Sequence, residues 1–162
     1  MAQKVVWTRE EDLQHGHYRP MSAAKFRAGF DADGNPLALH VTTVSEGPMG
    51  RLMPGFLKDP KLDTSIFEGT VEQPYAIPNK RGDVINISAK PTPICFWRSV
   101  GHSQNAFFKE SFMDEMAHEG NVDPVEFRRK LLAEKTRFKK VLDTAVNMAG
   151  WKPKAWDVNG KK

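Results

Sequence analysis

The sequence has little cysteine, since Cys95 is the only one among 162 residues. A single thiol excludes an internal disulfide and any Cys-x-x-Cys metal or redox site, and its apolar neighbours favour a small buried residue over a nucleophile. Uninterrupted apolar runs are only a few residues long, well short of the roughly 20 residues that span a bilayer. No basic-then-apolar signal segment opens the sequence. We therefore expect a soluble protein without a membrane span, cytoplasmic, or periplasmic if a longer N-terminus carries a signal.

Motifs that identify common enzyme classes are also missing. Neither G-x-G-x-x-G nor G-x-x-x-x-G-K-[ST] occurs, which removes the main support for a nicotinamide or ATP site. There is no G-x-S-x-G nucleophile elbow and no H-E-x-x-H zinc motif. His15 and His17 lie beside the acidic residues 10–12, but Gly16 and Pro20 indicate a loop there, which argues against a metal site. The residues alone nominate no catalytic base.

Basic residues are concentrated toward the C-terminus. From Arg128 onward, eleven Lys and Arg stand against three Asp and Glu, whereas residues 1–127 hold 13 and 17. A basic C-terminal third is compatible with binding nucleic acid or an acidic protein. Most of these charges are interleaved with helically spaced apolar residues, which is typical of the solvated face of a packed helix. The second interpretation is favoured, and the first stays open.

The N-terminal half carries strand patterns. An apolar content of 40%, with ten Phe and four Trp, is enough for the core of one domain. Period-two alternation predicts strands over 24–30 and 37–41, and the turn residues 31–36 join them as a hairpin. Residues 46–78 are rich in Gly and Pro and predict irregular structure with one short helix around 62–67. Further short strands are predicted at 5–9, 81–88 and 94–97.

Helices are predicted in the remainder. Apolar residues at helical spacing mark one helix over 104–118 and another from Phe138 to Ala149, which Gly150 ends. Between them, Asp123 caps a helix that runs to about Leu132, with a proline in its first turn and a glutamate placed for a capping box. Strands come first and helices last, so the predicted fold class is α+β. Residues 154–162 are expected to form a weakly ordered tail.

One stretch, residues 91–105, predicts a ligand site. A short apolar strand ends at Trp97, Arg98 follows, Gly101 permits a tight turn, and Ser103 is placed to cap the next helix. Main-chain N–H groups point outward where a helix begins, and they suit a cofactor that carries phosphates. His102 follows the turn directly and either touches the ligand or points to water. The sequence therefore predicts an anion-binding corner.

Five stretches in order resemble landmarks of the molybdenum hydroxylases, the xanthine dehydrogenase and aldehyde oxidase family. They are VWTREED at 6–12, AGFDADG at 28–34, PYAIPN at 74–79, FWRSVGHSQN at 96–105 and DPVEFR at 123–128. The isoquinoline 1-oxidoreductase branch is the most similar. The resemblance covers residues 5 to about 153. It implies that 1–153 form part of a molybdopterin-binding domain.

The resemblance also implies roles for the corner. Arg98 would lie near the molybdenum, through the metal's ligands or through its own backbone. The molybdopterin cytosine dinucleotide would be seated by residues of the same stretch, namely Trp97, Arg98, Ser99, Gly101, His102 and Gln104. Val100 would border the substrate, at the position where xanthine-oxidising relatives carry an aromatic ring. Because valine cannot stack, a purine is disfavoured, and another N-heteroaromatic or an aldehyde, hydroxylated with water, is expected.

Two family elements have no counterpart in this sequence. These are a glutamine-bearing glycine-rich segment upstream and the catalytic base glutamate far downstream. We therefore expect a fragment that supplies one wall of the site and is inactive alone. The implied partners are the remainder of the large subunit, a small 2Fe-2S subunit that carries iron–sulfur clusters, and the small-molecule substrate, but no nucleic acid.

Two alternatives come from other functional classes. In the first, the chain is a stand-alone α+β binding module whose basic helical third binds nucleic acid or an acidic protein, and its association should then weaken steeply as salt rises. In the second, it is a structural interaction domain, which exposed apolar surface would favour.

Overall fold

The computed structural model describes residues 2–59, 62–88 and 91–153. Within them a three-stranded sheet in the order β1-β2-β3 is accompanied by five α-helices, so the predicted α+β class is confirmed. The elements in chain order are α1 Arg9–His15, β1 Ser22–Phe30, β2 Pro36–Ser45, α2 Pro48–Leu52, 3₁₀ turns Pro54–Phe56 and Thr64–Ile66, β3 Asn79–Asn86, α3 Val100–Glu119, α4 Pro124–Leu131 and α5 Thr136–Met148.

The predicted hairpin is confirmed. β1 and β2 pair antiparallel from Ser22↔Ser45 to Phe30↔Pro36, with a register shift next to Phe30. In the connecting turn the Asp31 carboxylate accepts hydrogen bonds from the main-chain N–H groups of Asp33 and Asn35. It also accepts one from the Asn35 side chain. These bonds, the side-chain bond first, lower the pKa of Asp31.

β3 lies parallel to β2, with Ala38 opposite Asn79 and Ser45 opposite Asn86. A parallel pair needs a long crossover, and residues 46–78 provide it. This crossover is irregular, as the Gly and Pro content predicts. The short helix expected around 62–67 is the 3₁₀ turn Thr64–Ile66, and α2 was not predicted.

One face of the sheet packs against α3 and α4. The buried core joins strand residues such as Leu39 and Val41 to the helix residues Met113, Met116 and Phe127. At the edge of this core the rings of Phe26 and Phe112 lie 5.0 Å apart. The alternating burial of β1 follows from this one-sided packing.

A hydrogen-bonded cluster ties α4 to α3. Arg128 donates from Nε to Glu110 at 3.0 Å and from Nη1 to Asp114 at 2.6 Å. The Tyr75 hydroxyl donates to the same Glu110 carboxylate at 2.9 Å. Burial, followed by the charge of Glu110, raises the pKa of Tyr75. The cluster fixes the helices against each other and against the segment that precedes β3.

Two helix boundaries confirm the sequence signals. The Asp123 carboxylate accepts hydrogen bonds from the N–H groups of Val125 and Glu126 and so caps α4. Glu126, which the sequence places for a capping box, also pairs with Arg129. Beyond α5, Gly150 has a φ of +59°, the left-handed conformation that ends a helix.

Three predicted boundaries are wrong. Residues 5–9 form no strand, because Thr8 caps α1 and three acidic residues follow in its first turn, where the helix dipole favours them. The strand at 94–97 is reduced to a bridge between Ile94 and Tyr18. α3 begins at Val100, four residues before the predicted start at Gln104. The tail predicted at 154–162 lies outside the described residues.

In the part of the chain that the structure describes, no helix is both long and apolar enough to cross a membrane.

The core on α3 should dominate stability. Met113 is 1% exposed, so Met113→Ala should lower the free energy of unfolding by about 2–5 kcal/mol, because it removes buried apolar atoms and leaves a cavity. The matched control is Met148→Ala, since Met148 is 85% exposed, and it should change stability by less than about 0.5 kcal/mol. Urea denaturation of both variants checks this, and equal losses would contradict the packing described.

Candidate functional site

The predicted corner, residues 97–101, is held against residues 17–20. The Tyr18 N–H donates to the Pro93 carbonyl at 2.8 Å, and the Cys95 N–H donates back to the Tyr18 carbonyl at 3.1 Å. The Trp97 indole N–H donates to the His17 carbonyl at 2.9 Å. A segment far away in sequence therefore fixes the chain as it enters the corner.

The backbone of the corner is left-handed at two consecutive residues. Ser99 has a φ of 67° and Val100 a φ of 42°, and the Val100 N–H donates to the Trp97 carbonyl at 2.9 Å. Positive φ is uncommon outside glycine and is most costly for a β-branched residue such as valine. Such strain persists only where neighbouring groups hold the backbone.

Arg19 is the neighbour that holds it. Its guanidinium donates to the Val100 carbonyl and to the Arg98 carbonyl, each at 3.2 Å. It also lies 5.7 Å above the Trp97 ring, within the range of a cation–π contact. The Ser103 hydroxyl adds a bond to the Arg98 carbonyl at 3.1 Å, so this serine does not cap the helix as predicted.

Gly101 has a different role from the predicted one. It lies inside the first turn of α3, where a Cβ would come 2.5 Å from the Ser65 carbonyl oxygen. The glycine therefore permits close approach of the helix to the 3₁₀ turn Thr64–Ile66, and the tight turn is made by Ser99 and Val100. Because Ser99 is left-handed, its side chain makes no capping bond. The N–H groups of Gly101 and His102 have no acceptor within the helix.

An outer cleft of about 400 Å³ runs between α1 and the corner. Arg98 is exposed there, and no ion pair joins it to a carboxylate in residues 2–59, 62–88 or 91–153. Cys95 is half-buried rather than buried as expected, because it borders this cleft. The lining residues are Arg9, Asp12, Leu13, Gly16, His17, Cys95, Phe96, Trp97 and Arg98.

An inner cavity of about 10 Å³ lies behind the corner, close to the volume that holds one water molecule. Glu46, on its wall, is 6% exposed, and one of its oxygens accepts from Arg51 at 3.0 Å. Its other oxygen, Oε2, and the Gln104 side-chain oxygen have no hydrogen-bond partner within the described chain. Val100, Gly101 and Gln104 line this cavity together with Glu46.

The predicted site residues do not all line one space, because some border the outer cleft and others border the inner cavity. Arg98 faces the outer cleft, and Trp97 borders both spaces. Val100, Gly101 and Gln104 border the inner cavity only. Ser99 and His102 line neither space. The His102 ring packs closely against Gly69, since a Cβ on Gly69 would come 2.5 Å from the His102 Nδ1.

The histidines near the N-terminus do not assemble a metal site. His15 lies 3.3 Å from the Glu11 carboxylate on the same helix, whereas His17 follows the helix and binds Trp97 through its carbonyl. Among the residues that the structure describes, no group of three or more His, Cys, Asp or Glu side chains is arranged to hold a metal ion.

Arg19 and Glu46 are site residues that the sequence did not reveal. Arg19 is separated from its carbonyl partners by about 80 positions, and no local pattern links them. Glu46 follows a strand directly, in a segment whose Gly and Pro content predicts only irregular structure. Strand alternation could have placed Glu46 near a buried edge, but it carries no sign of an unpaired oxygen.

Comparison with known proteins gives this geometry a context. A family model, the molybdopterin cofactor-binding domain, matches residues 2–132. The isoquinoline 1-oxidoreductase subunit beta of Brevundimonas diminuta is 30% identical over 159 residues, which are 97% of this chain and 20% of that protein. A probable xanthine dehydrogenase subunit from Bacillus subtilis is 30% identical over 128 residues, 78% of this chain and 16% of that protein.

A solved structure has a similar fold. The aldehyde oxidoreductase from Desulfovibrio gigas superposes with a TM-score of 0.57 at 23% identity, over 76% of this chain and 13% of that one. The chain therefore spans about a fifth or less of the length of the relatives it matches.

Gly101→Ala should damage the corner. The added Cβ would meet the Ser65 main-chain oxygen, so we expect a loss of roughly 1–3 kcal/mol in unfolding free energy, as for overpacked sites. Gly55→Ala is the matched control, because no atom lies within 4 Å of its Cβ position, and it should be neutral or stabilising by up to about 1 kcal/mol. Thermal denaturation of both proteins checks the difference. A neutral Gly101→Ala would show that the helix start is not packed as described.

Proposed function

Because the chain belongs to the molybdopterin cofactor-binding domain family of the molybdenum hydroxylases, we propose that its corner forms one wall of the cofactor site. The observation that carries this proposal is the corner itself. The guanidinium of Arg98 borders an open cleft, and the first turn of a 20-residue helix follows it directly in the chain. Residues 1–153 are, in this proposal, part of a larger molybdopterin-binding domain.

The chemistry of the corner fits the anionic part of such a cofactor. Phosphate groups favour N–H donors at a helix N-terminus, where the helix dipole adds positive potential. Ser99 and His102, which are both exposed at the start of the helix, offer main-chain N–H groups, and Arg98 offers a charge. Trp97 supplies an aromatic surface at the same place. The molybdopterin cytosine dinucleotide is the form we propose, since a dinucleotide adds a second phosphate for these donors.

The inner cavity plays a supporting part. The unpaired oxygens of Glu46 and Gln104 require hydrogen-bond donors, but the cavity has room for one water molecule and not for a pterin ring. We therefore assign them to a water behind the corner. A bridging water would connect the end of β2 to the first turn of α3 and stiffen the wall on which the cofactor rests.

When bound, the cofactor supplies a molybdenum centre for two-electron oxidation of the substrate, with water as the source of oxygen. The residues of this chain bind and orient that group and shield one side of it from solvent. We assign them no proton transfer and no catalytic role. The whole protein's activity, hydroxylation of an N-heteroaromatic compound or an aldehyde, requires the rest of the large subunit and, we propose, a small 2Fe-2S partner subunit.

The substrate role of Val100 rests on resemblance. Its side chain borders the inner cavity rather than the outer cleft, and it offers no ring for stacking on a purine. That placement does not support contact between Val100 and a substrate. The name of one relative, isoquinoline 1-oxidoreductase, is the support for proposing an N-heteroaromatic substrate other than a purine.

No observation favours the nucleic-acid alternative. Arg128 is bound to Glu110 and Asp114, and Arg129 to Glu126 and Asp143. These ion pairs join α4 to its neighbours and neutralise much of the positive charge there. The basic residues of α4 thus serve the packing of the chain.

A pterin phosphate should bind at the corner. Titration of the isotope-labelled chain with neopterin phosphate, followed by NMR, should shift the amide signals of Ser99 and His102, with weak affinity because only one wall is present. Arg98→Ala should weaken binding about fivefold, since it removes a charge-assisted contact at an exposed position. The control is Arg27→Ala, because Arg27 is exposed on β1 away from the corner.

The outcome that contradicts the proposal is a titration in which shifts are absent or lie away from residues 97–104. A second measurement concerns the metal. A large cofactor gains affinity from every segment that contacts it, so the purified chain should contain negligible molybdenum. Stoichiometric, tightly held metal after gel filtration would show that this chain is more than one wall.

A further inference from the structure

We propose that Arg19 is a positioning residue, which fixes the left-handed corner and thereby orients the exposed main-chain N–H of Ser99 for the anionic ligand. The inference rests on the proposed function for its ligand, but the hold of Arg19 on the backbone is independent of it. Arg19 does not line the outer cleft, so its effect is exerted through the corner.

The corner needs such a residue. Ser99 and Val100 both have positive φ, and neither is a glycine. Without restraint, a serine followed by a valine would relax to an ordinary extended or helical backbone. The two carbonyl bonds from Arg19 restrain the peptides on either side of this pair, namely Arg98–Ser99 and Val100–Gly101.

Arg19 is itself held in place. Its planar side chain lies over the Trp97 ring, and the indole N–H of Trp97 is bound to the His17 carbonyl. Tyr18 is bridged to Ile94, and Pro20 restricts the backbone of the residue before it to extended conformations. These contacts therefore fix the position of the Arg19 guanidinium relative to the two carbonyl groups that it binds.

Holding two carbonyls also orients two amides. In a trans peptide the C=O and N–H bonds point in opposite directions. Because the Arg98 carbonyl points to Arg19, the N–H of Ser99 points away from it. The same holds for the Val100 carbonyl and the N–H of Gly101. Of these two N–H groups, that of Ser99 belongs to an exposed residue next to Arg98, whereas Gly101 is buried, so Arg19 orients the Ser99 donor without touching the ligand.

The planar fork of arginine is needed for this task. Nη1 and Nη2 each reach a different carbonyl, with the spacing fixed by the guanidinium plane. A lysine keeps the positive charge but offers a single nitrogen on a flexible stem. Arg19→Lys therefore separates positioning from charge, because only positioning is lost.

The test uses the isotope-labelled chain with Arg19→Lys and Arg19→Ala, and Arg27→Lys as the matched control. The first readout, without ligand, is the backbone chemical shifts of Ser99 and Val100, which report left-handed geometry. We expect both Arg19 variants to lose that signature, while the control and the amides of the sheet stay as in the parent. The second readout is affinity for neopterin phosphate, which should fall about tenfold in both Arg19 variants, the size of a few weakened hydrogen bonds.

Two results would overturn the inference. Retention of the left-handed signature in Arg19→Ala would show that other contacts hold the corner. Parent-like affinity in Arg19→Lys would show that charge alone matters. Should the parent chain keep the signature, the Arg19 variants lose it, and neopterin phosphate fail to bind any of them, the proposed cofactor site is wrong while the hold of Arg19 on the corner stands. Thermal denaturation of Arg19→Lys confirms that the fold is intact.

Discussion

The packing of α3 on the sheet is the constraint on which the rest of the structure depends. The helix is buried through Met113, Met116 and Ala117, and Arg128 ties its outer side to α4. A helix fixed along its length has a fixed N-terminus, so the corner stands where the core places it. Gly101 then brings that N-terminus onto the turn around Ser65. The position of the candidate site is therefore determined by how α3 packs in the apolar core.

Much of the fold could be predicted because its signals are local. Alternation over β1 and β2, the turn chemistry around Asp31 and the cap at Asp123 each act within a few residues, and each prediction was confirmed. The predicted irregular crossover was also found, since glycine and proline restrict the backbone directly.

The errors at the corner occurred where a residue's role depends on a distant partner. Gly101 was interpreted as a turn residue, but its lack of a side chain serves contact with Ser65. The turn is made by Ser99 and Val100, whose intrinsic preferences oppose it. No local pattern predicts that conformation, because it depends on Arg19 about 80 positions away. Residues 91–105 thus predict a corner at the start of a helix, which the structure contains, but they do not predict how that corner is held together.

The energies at the corner explain why it suits binding rather than stability. Left-handed conformations at non-glycine residues cost roughly 1–3 kcal/mol each, and a hydrogen bond from a charged donor returns about 1.5–3 kcal/mol. The free energy of two such bonds from Arg19 is comparable to the conformational cost of Ser99 and Val100. The corner therefore adds little net stability to the fold. The main-chain N–H groups directed away from Arg19 still need hydrogen-bond acceptors. An anion that accepts hydrogen bonds from them would remove the cost of leaving these donors unpaired. In the proposed cofactor site, binding of an anion would therefore complete the hydrogen bonding that folding leaves open.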